Sequence, residues 1–375
     1  MCGYSFEEHG RAEQSRARNI CGIRRLDSWI GAMNQVGMTL AFCVSALCAA
    51  VMGFAIQRGA TCTVAAVDEL VTRRRGTRLV AIIEASVWVV AGLLFARTFG
   101  IAWTMPDGYA IGAATLIGGA LLGFGAYVNR ACVFGAIARL GSGEWAYVMT
   151  PLGFYVGCAT VARLFPVTPP AHAAHASPVL QGSAWLALLA AAFVIARVAY
   201  AFVDFSIGTP WRLRVRPVAT LGASTWSPHV ATTVIGVAFV VILLLSGAWA
   251  YTDVLAELAH GMASSLPGRI GLLIALLAGA IFGGYTAGRW RNTRVTAAGL
   301  LRCFVGGLLM GWGSLLIPGS NDGLVLVGMP LLLPHAWVAF LTMCVVIAVS
   351  IVAVRSLVRD AAEAHASVPD SRMSE

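Results

Sequence analysis

Three short stretches place hydrogen-bonding side chains where long apolar runs break. In "GFAIQRGATCTVAAVDEL", residues 53–70, Gly59 interrupts the apolar pattern, Arg58 precedes Cys62 by four positions, and Thr61 and Thr63 flank the thiol. In "GFGAYVNRACVFGAIARLGSG", residues 123–143, Asn129 and Arg130 lie just before Cys132. In "GWGSLLIPGSNDGLVLVG", residues 311–328, Ser320 is followed by Asn321 and Asp322. A helix that begins at such a break points unpaired N–H groups and a positive partial charge outward, which attracts anions. A thiol or hydroxyl beside those groups adds a further donor. Cys62, Cys132, Ser320, Arg58, Asn129, Arg130 and Asn321 are therefore the candidate contacts to a small anion. N-capping by Asn321 and Asp322 is the equally open reading of the third stretch.

Composition decides what holds these breaks in place. The 375-residue chain is 58% hydrophobic and only 11% charged, against about 25% charged residues in soluble domains. It reads as an all-α polytopic membrane protein embedded in a lipid bilayer. The net charge of +9 points to basic cytoplasmic loops, not to nucleic acid. Cys43, Cys48, Cys158, Cys303 and Cys344 lie inside apolar runs, where cysteine acts as a small hydrophobe. Only Cys62 and Cys132 follow polar residues at breaks. Residues 1–28 mix Arg with Glu and lack the apolar stretch of a cleaved signal peptide.

The hydrophobic runs predict about nine spanning helices, near 29–55, 79–101, 109–126, 145–165, 182–204, 228–250, 268–288, 296–316 and 334–354. Segments 60–71, 131–141 and 320–332 are too short to span and read as re-entrant helices, tolerated only where protein buries them or they line a cavity. This divides the chain into a polar tail (1–28), a first membrane repeat (29–165), a linker loop (166–181), a second repeat (182–354) and a polar tail (355–375). Arginines 73–75 and 78, 212, 214 and 216, 289, 291 and 294, and 355 and 359 gather on one face. The positive-inside rule then puts the C-terminus in the cytoplasm and the N-terminus outside.

The two repeats are visible in the glycines. Gly118, Gly119, Gly123, Gly125 and Gly135 align without a gap on Gly306, Gly307, Gly311, Gly313 and Gly323, each pair 188 residues apart. Small residues let membrane helices pack closely. The same spacing sets Cys132 opposite Ser320. Broken helices in two related halves that meet near the bilayer midplane are a transporter layout. The first cysteine stretch has a less obvious counterpart; "GASTWSPHVATT", 222–233, occupies the comparable place but carries no cysteine.

Taken in order, "GFAIQRGATC", "GFGAYVNRACVFG" and "GWGSLLIPGSNDGLVLVG" resemble the YeeE/YedE family of bacterial inner-membrane sulfur-compound transporters, over most of 35–350. The resemblance implies an hourglass of two pseudo-symmetric halves and a path on which cysteines, here Cys62 and Cys132, pass a sulfur-containing anion such as thiosulfate inward through S–H···S hydrogen bonds. It also implies an occasional small cytoplasmic sulfur-carrier protein as partner. The third family motif normally carries Gly-Gly-Cys-Asn; here it is Gly319-Ser320-Asn321. Thiosulfate has hard oxygens, suited to N–H groups and Arg, and a soft terminal sulfur suited to a protonated thiol.

The remaining polar residues are read more plainly. Arg197 and Asp204, seven apart, share a helix face and predict a structural ion pair. Glu84 lies within a predicted span, where an ionisable residue is a functional candidate by default, here for a proton relay. His172 and His175 belong to a linker, not to a metal site. Trp145, Trp249, Tyr251 and Trp337 read as interfacial anchors. No phosphate-binding loop and no histidine pair able to clamp a haem occurs, so neither cofactor nor enzyme activity is expected. Two other classes stay open: a thiol oxidoreductase using Cys62 and Cys132, and a membrane subunit of a sulfur-transfer system.

Overall fold

In a computed structural model, the described residues are 35–101, 105, 108–164, 177–207, 224–261, 266–291 and 293–366. The tails at 1–28 and 367–375, the linker histidines and Arg212, Arg214 and Arg216 lie outside them. All described elements are helical. They are α1 (residues 35–59), α2 (Thr63–Arg73), α3 (Thr77–Thr98), α4 (Ala113–Asn129) and α5 (Val133–Gly141). Next come α6 (Met149–Leu164), α7 (Pro178–Gln181), α8 (Ala184–Ile207), α9 (Pro228–Ser246) and α10 (Tyr251–Ala259). The last four are α11 (Leu266–Thr286), α12 (Ala297–Leu316), α13 (Asn321–Gly323, continued by a π-helical turn Leu324–Gly328) and α14 (Pro334–Ala366).

Among the described residues, seven segments are long and apolar enough to cross a membrane. Two further helices occupy the other expected spans: Met149–Leu164, preceded by a 3₁₀ turn at Trp145–Val148, and Ala184–Ile207. Two of the seven contain a break: Gln35–Arg73 is interrupted at Cys62, and Ala113–Gly141 at Cys132. Segment 320–332 is shorter than expected, its helix ending at Gly328, whereas α14 runs past 354 to Ala366.

The breaks share one local geometry. Ala60 and Arg130 adopt left-handed φ of 47° and 58°. The next residue then turns its N–H back five positions: Thr61 to Ile56 O, 3.2 Å, and Ala131 to Ala126 O, 3.1 Å. Gly319 N does the same to Ser314 O, 2.8 Å. Each closure satisfies a carbonyl that the ending helix would leave unpaired. The chain stays paired at depth and starts a new helix one or two residues later.

The aligned glycines build the centre. A Cβ on Gly125 would lie 2.8 Å from Gly306 O, and one on Gly313 would lie 2.6 Å from Gly118 O. The contact between α4 and α12 is therefore reciprocal: each glycine touches the counterpart of the other's partner. Backbone approach this close is open only to small residues. Gly125→Leu is expected to destabilise the protein by about 1–3 kcal/mol, the usual cost of overpacking. Thermal melting in detergent checks this, with exposed Gly112→Ala, which meets nothing within 4 Å, as the control.

Candidate functional site

Four short helices start beside one another. The N-cap of α2 is Cys62, that of α5 is Cys132, that of α10 is Ala250 and that of α13 is Ser320. Their first turns are hydrogen-bonded together. Thr63 N donates to Cys132 Sγ at 3.2 Å, and Thr63 Oγ1 donates to Asn321 Oδ1 at 3.3 Å. Tyr251 OH donates to Val133 O at 2.9 Å. Thr252 Oγ1 contacts Ser320 Oγ, and both hydroxyls reach Asp322 Oδ1. Cys132, Ser320 and Asn321 are buried, and Cys62 is half-buried.

A cavity opens on each side of this cluster, and the two share no lining residue. One, about 570 Å³, is lined by Cys62, Gln57, the four basic side chains Arg78, Arg130, Arg139 and Arg289 and the two acidic ones Asp68 and Glu144, among others. Arg139 is paired with Glu144 at 3.1 Å, and Arg78 with Glu69 at 3.3 Å. The other, about 440 Å³, is lined by Ser320, Thr252, Asp253, Glu257, His260 and His335, among others. Residues of α2 and α5 line the first; residues of α10 and α13 line the second. Cys132, Thr63 and Asn321 line neither cavity and join the elements that separate them.

The seven candidate residues take different positions. Cys62, Cys132, Ser320 and Asn321 come together. Asn129 is consumed by the break itself: its Nδ2 donates to Ala131 O at 2.9 Å and its Oδ1 accepts from Thr150 Oγ1 at 3.0 Å. Arg130 caps α4 and lines the basic cavity. Arg58 is buried and donates to Thr286 Oγ1 at 2.8 Å, with its guanidinium over the Phe54 ring. Among the described residues Asn321 Nδ2 is a buried donor without a partner, and no side-chain cap bond forms at the start of α13. In place of N-capping, Asn321 bonds to Thr63 of α2 and Asp322 to Ser320 and to Thr252 of α10.

Several expectations are corrected. The segment that completes the cluster is 251–259, not 222–233. Within the latter, Trp226 N donates to Arg58 O at 3.0 Å and Ser227 caps α9, so it supports the first break from outside. Trp249 and Tyr251 are buried, not interfacial anchors, because α9 ends at Ser246 and the chain turns inward to begin α10. Arg197 pairs with Glu84 at 2.6 Å, and His229 Nδ1 lies 2.5 Å from the other Glu84 oxygen; the Asp204 side chain lies outside the described residues. A buried carboxylate needs such partners. The Glu84 group joins α3, α8 and α9 and, among the described residues, has no bond to the central cluster.

Sequence did contain a signal for α10. "GATCTVAAVDEL" at 59–70 and "GAWAYTDVLAEL" at 247–258 share Gly, Ala, Glu and Leu at the same 188-residue spacing as the glycine pairs. The absence of a cysteine hid it.

Fold and site together define a multi-pass membrane protein whose helix breaks meet between two cavities. Residues 58–349 match the model of the sulphur-transport family, and the chain belongs to that YeeE/YedE family. It is a membrane protein of sulfur-compound transport. No curated protein matches the chain.

Proposed function

We propose that the protein carries a small sulfur-containing anion, thiosulfate first among them, inward across the bacterial inner membrane. The observation that carries this reading is the back-to-back pair of cavities separated by Cys62, Cys132, Thr63, Asn321 and Ser320. The anion passes from the cavity holding Ser320 to the one holding Cys62. In between, Cys132 and Cys62 offer S–H donors to the soft sulfur, and the N–H groups of α2 and α5 face the oxygens. Four arginines then receive the anion.

The basic cavity faces the cytoplasm, because Arg73–Arg75, Arg289, Arg291 and Arg355 lie toward that end; the N-terminus is outside and the C-terminus inside. The two halves form an inverted repeat in which α2 corresponds to α10 and α5 to α13, supported by the common spacing and the reciprocal glycine contacts. The protein is a conduit and not an enzyme, and a small cytoplasmic sulfur-carrier protein would collect the anion at the basic mouth. Radiolabelled thiosulfate, sulfite and sulfate supplied to cells expressing the chain test this. Thiosulfate accumulation above that of empty-vector cells is expected; none for any of the three anions overturns the proposal.

Ser320 sets selectivity. Its hydroxyl is engaged by Thr252 and Asp322, whereas a thiol in its place is a softer and weaker donor. Ser320→Cys is expected to shift the preference toward thiosulfate over fully oxygenated anions by about tenfold, equivalent to about 1.4 kcal/mol. Competition assays on the parent, Ser320→Cys and Ser320→Ala decide it; identical preferences in all three would show that Ser320 only packs and caps.

A further inference from the structure

The cavity on the Ser320 side carries more acid than its arginine can neutralise. Glu257 is paired with Arg269 of α11, which also donates to Ala248 O at 2.8 Å. Among the described residues neither Asp253 nor Asp322 forms an ion pair. Asp253 Oδ1 lies 4.0 Å from the place a Cβ on Gly323 would take. Its carboxylate therefore hangs over the first turn of α13, one residue from Asp322.

Asp322 is buried and held by neutral donors: Thr252 Oγ1 and Ser320 Oγ reach its Oδ1, and Thr252 N donates to its Oδ2 at 3.4 Å. A buried carboxylate with no ion-pair partner among the described residues and a second carboxylate nearby carries uncompensated negative charge, which uptake of one proton relieves.

A second observation concerns the ligand. Asn321 Nδ2 is a fully buried donor without a partner among the described residues, while Thr63 holds its Oδ1. An acceptor bound to this Nδ2 is held by the residue next to Asp322 in the chain. If that acceptor is an anion, it meets an ionised carboxylate at close range in a poorly screened interior. Protonation removes the repulsion.

We propose that the Asp253–Asp322 pair takes up a proton from the outer cavity as the anion binds, making the protein a proton–anion symporter. This rests on the transport reading above. The step is a simple association: a carboxylate gains a proton from the outer cavity and releases it to the cytoplasmic cavity as the anion leaves on that side. The other titratable groups around the pair are Tyr251 and Glu257 of α10, His260 just after it, Arg269 of α11, Cys158 of α6, Cys132 at the start of α5, and Tyr109 and His335 near the start of α14. His335 Nδ1 accepts from Tyr109 N at 3.2 Å. Uptake should rise as the outside pH falls, since more of the pair is then protonated.

The test uses the full chain in liposomes loaded with a fluorescent pH dye, with thiosulfate as the probe and the membrane potential clamped by potassium and valinomycin. Adding thiosulfate outside is expected to acidify the lumen. A gradient of one pH unit, acid outside, is expected to accumulate labelled thiosulfate up to about tenfold, since one pH unit is a factor of about ten in proton activity. Asp253→Asn, checked for native elution, should lose the dependence on the gradient; His335→Gln should keep it. Labelled thiosulfate entering the parent protein with no lumenal acidification and no response to the gradient overturns the symport proposal alone. Loss of coupling in His335→Gln but not in Asp253→Asn overturns the assignment to the pair. No uptake under any gradient overturns the transport reading, and the symport proposal with it.

Discussion

Cys132→Ala is expected to lower sulfur-anion uptake by about ten- to a hundredfold while Cys344→Ala leaves it near the parent level. Cys132 is wholly buried, caps α5 in an extended conformation that alanine also adopts, and accepts the Thr63 N–H at 3.2 Å. Alanine removes both the S–H donor proposed for the substrate and the acceptor that fixes the start of α2. Hydrogen bonds to a charged partner contribute about 1.5–3 kcal/mol, and each factor of ten corresponds to about 1.4 kcal/mol, which sets the range. Cys344 lies half-buried on α14, away from the cluster. Uptake by cells with matched membrane levels of the two variants provides the measurement. Equal losses would place the damage in folding and remove the case for a cysteine path.

Gly135→Ala is expected to reduce uptake at least about tenfold and to slow alkylation of Cys62 by a water-soluble maleimide. A Cβ at Gly135 would lie 2.5 Å from Cys62 Sγ and 3.0 Å from Cys62 Cβ. The thiol has a single rotatable bond, so it cannot retreat as a long side chain does, and α2 must shift with it. Overpacking of this kind costs about 1–3 kcal/mol, and its strain falls on the atoms between the two cavities. Maleimide rates in inside-out vesicles report the Cys62 environment independently of transport. Unchanged labelling together with unchanged uptake would mean that Cys62 and α5 move apart freely, and the close contact would carry no function.

Composition alone made this a membrane chain: with 58% hydrophobic and 11% charged residues, no soluble core is large enough to bury the apolar surface. Glycine spacing alone showed the 188-residue repeat; that the repeated glycines bring α4 against α12 came from the structure, where such close backbone approach is open only to small residues. Polar residues at 58–63, 129–132 and 319–322 marked the breaks, since an interrupted helix must re-pair its backbone groups locally, and local pairing is written in local residues.

Tertiary structure alone decided which side chains meet. Tyr251 and Trp249 carry the residue types of interfacial anchors, and only the inward turn after Ser246 buries them. Glu84 finds Arg197 and His229 across 113 and 145 positions, a meeting that no periodicity within one helix encodes. Thr252, Ser320 and Asp322 form their ring from two helices that begin 70 residues apart. Periodicity specifies the face of a helix, whereas the partner of a buried polar atom depends on where another helix starts, and that is set by the packing of every element between them.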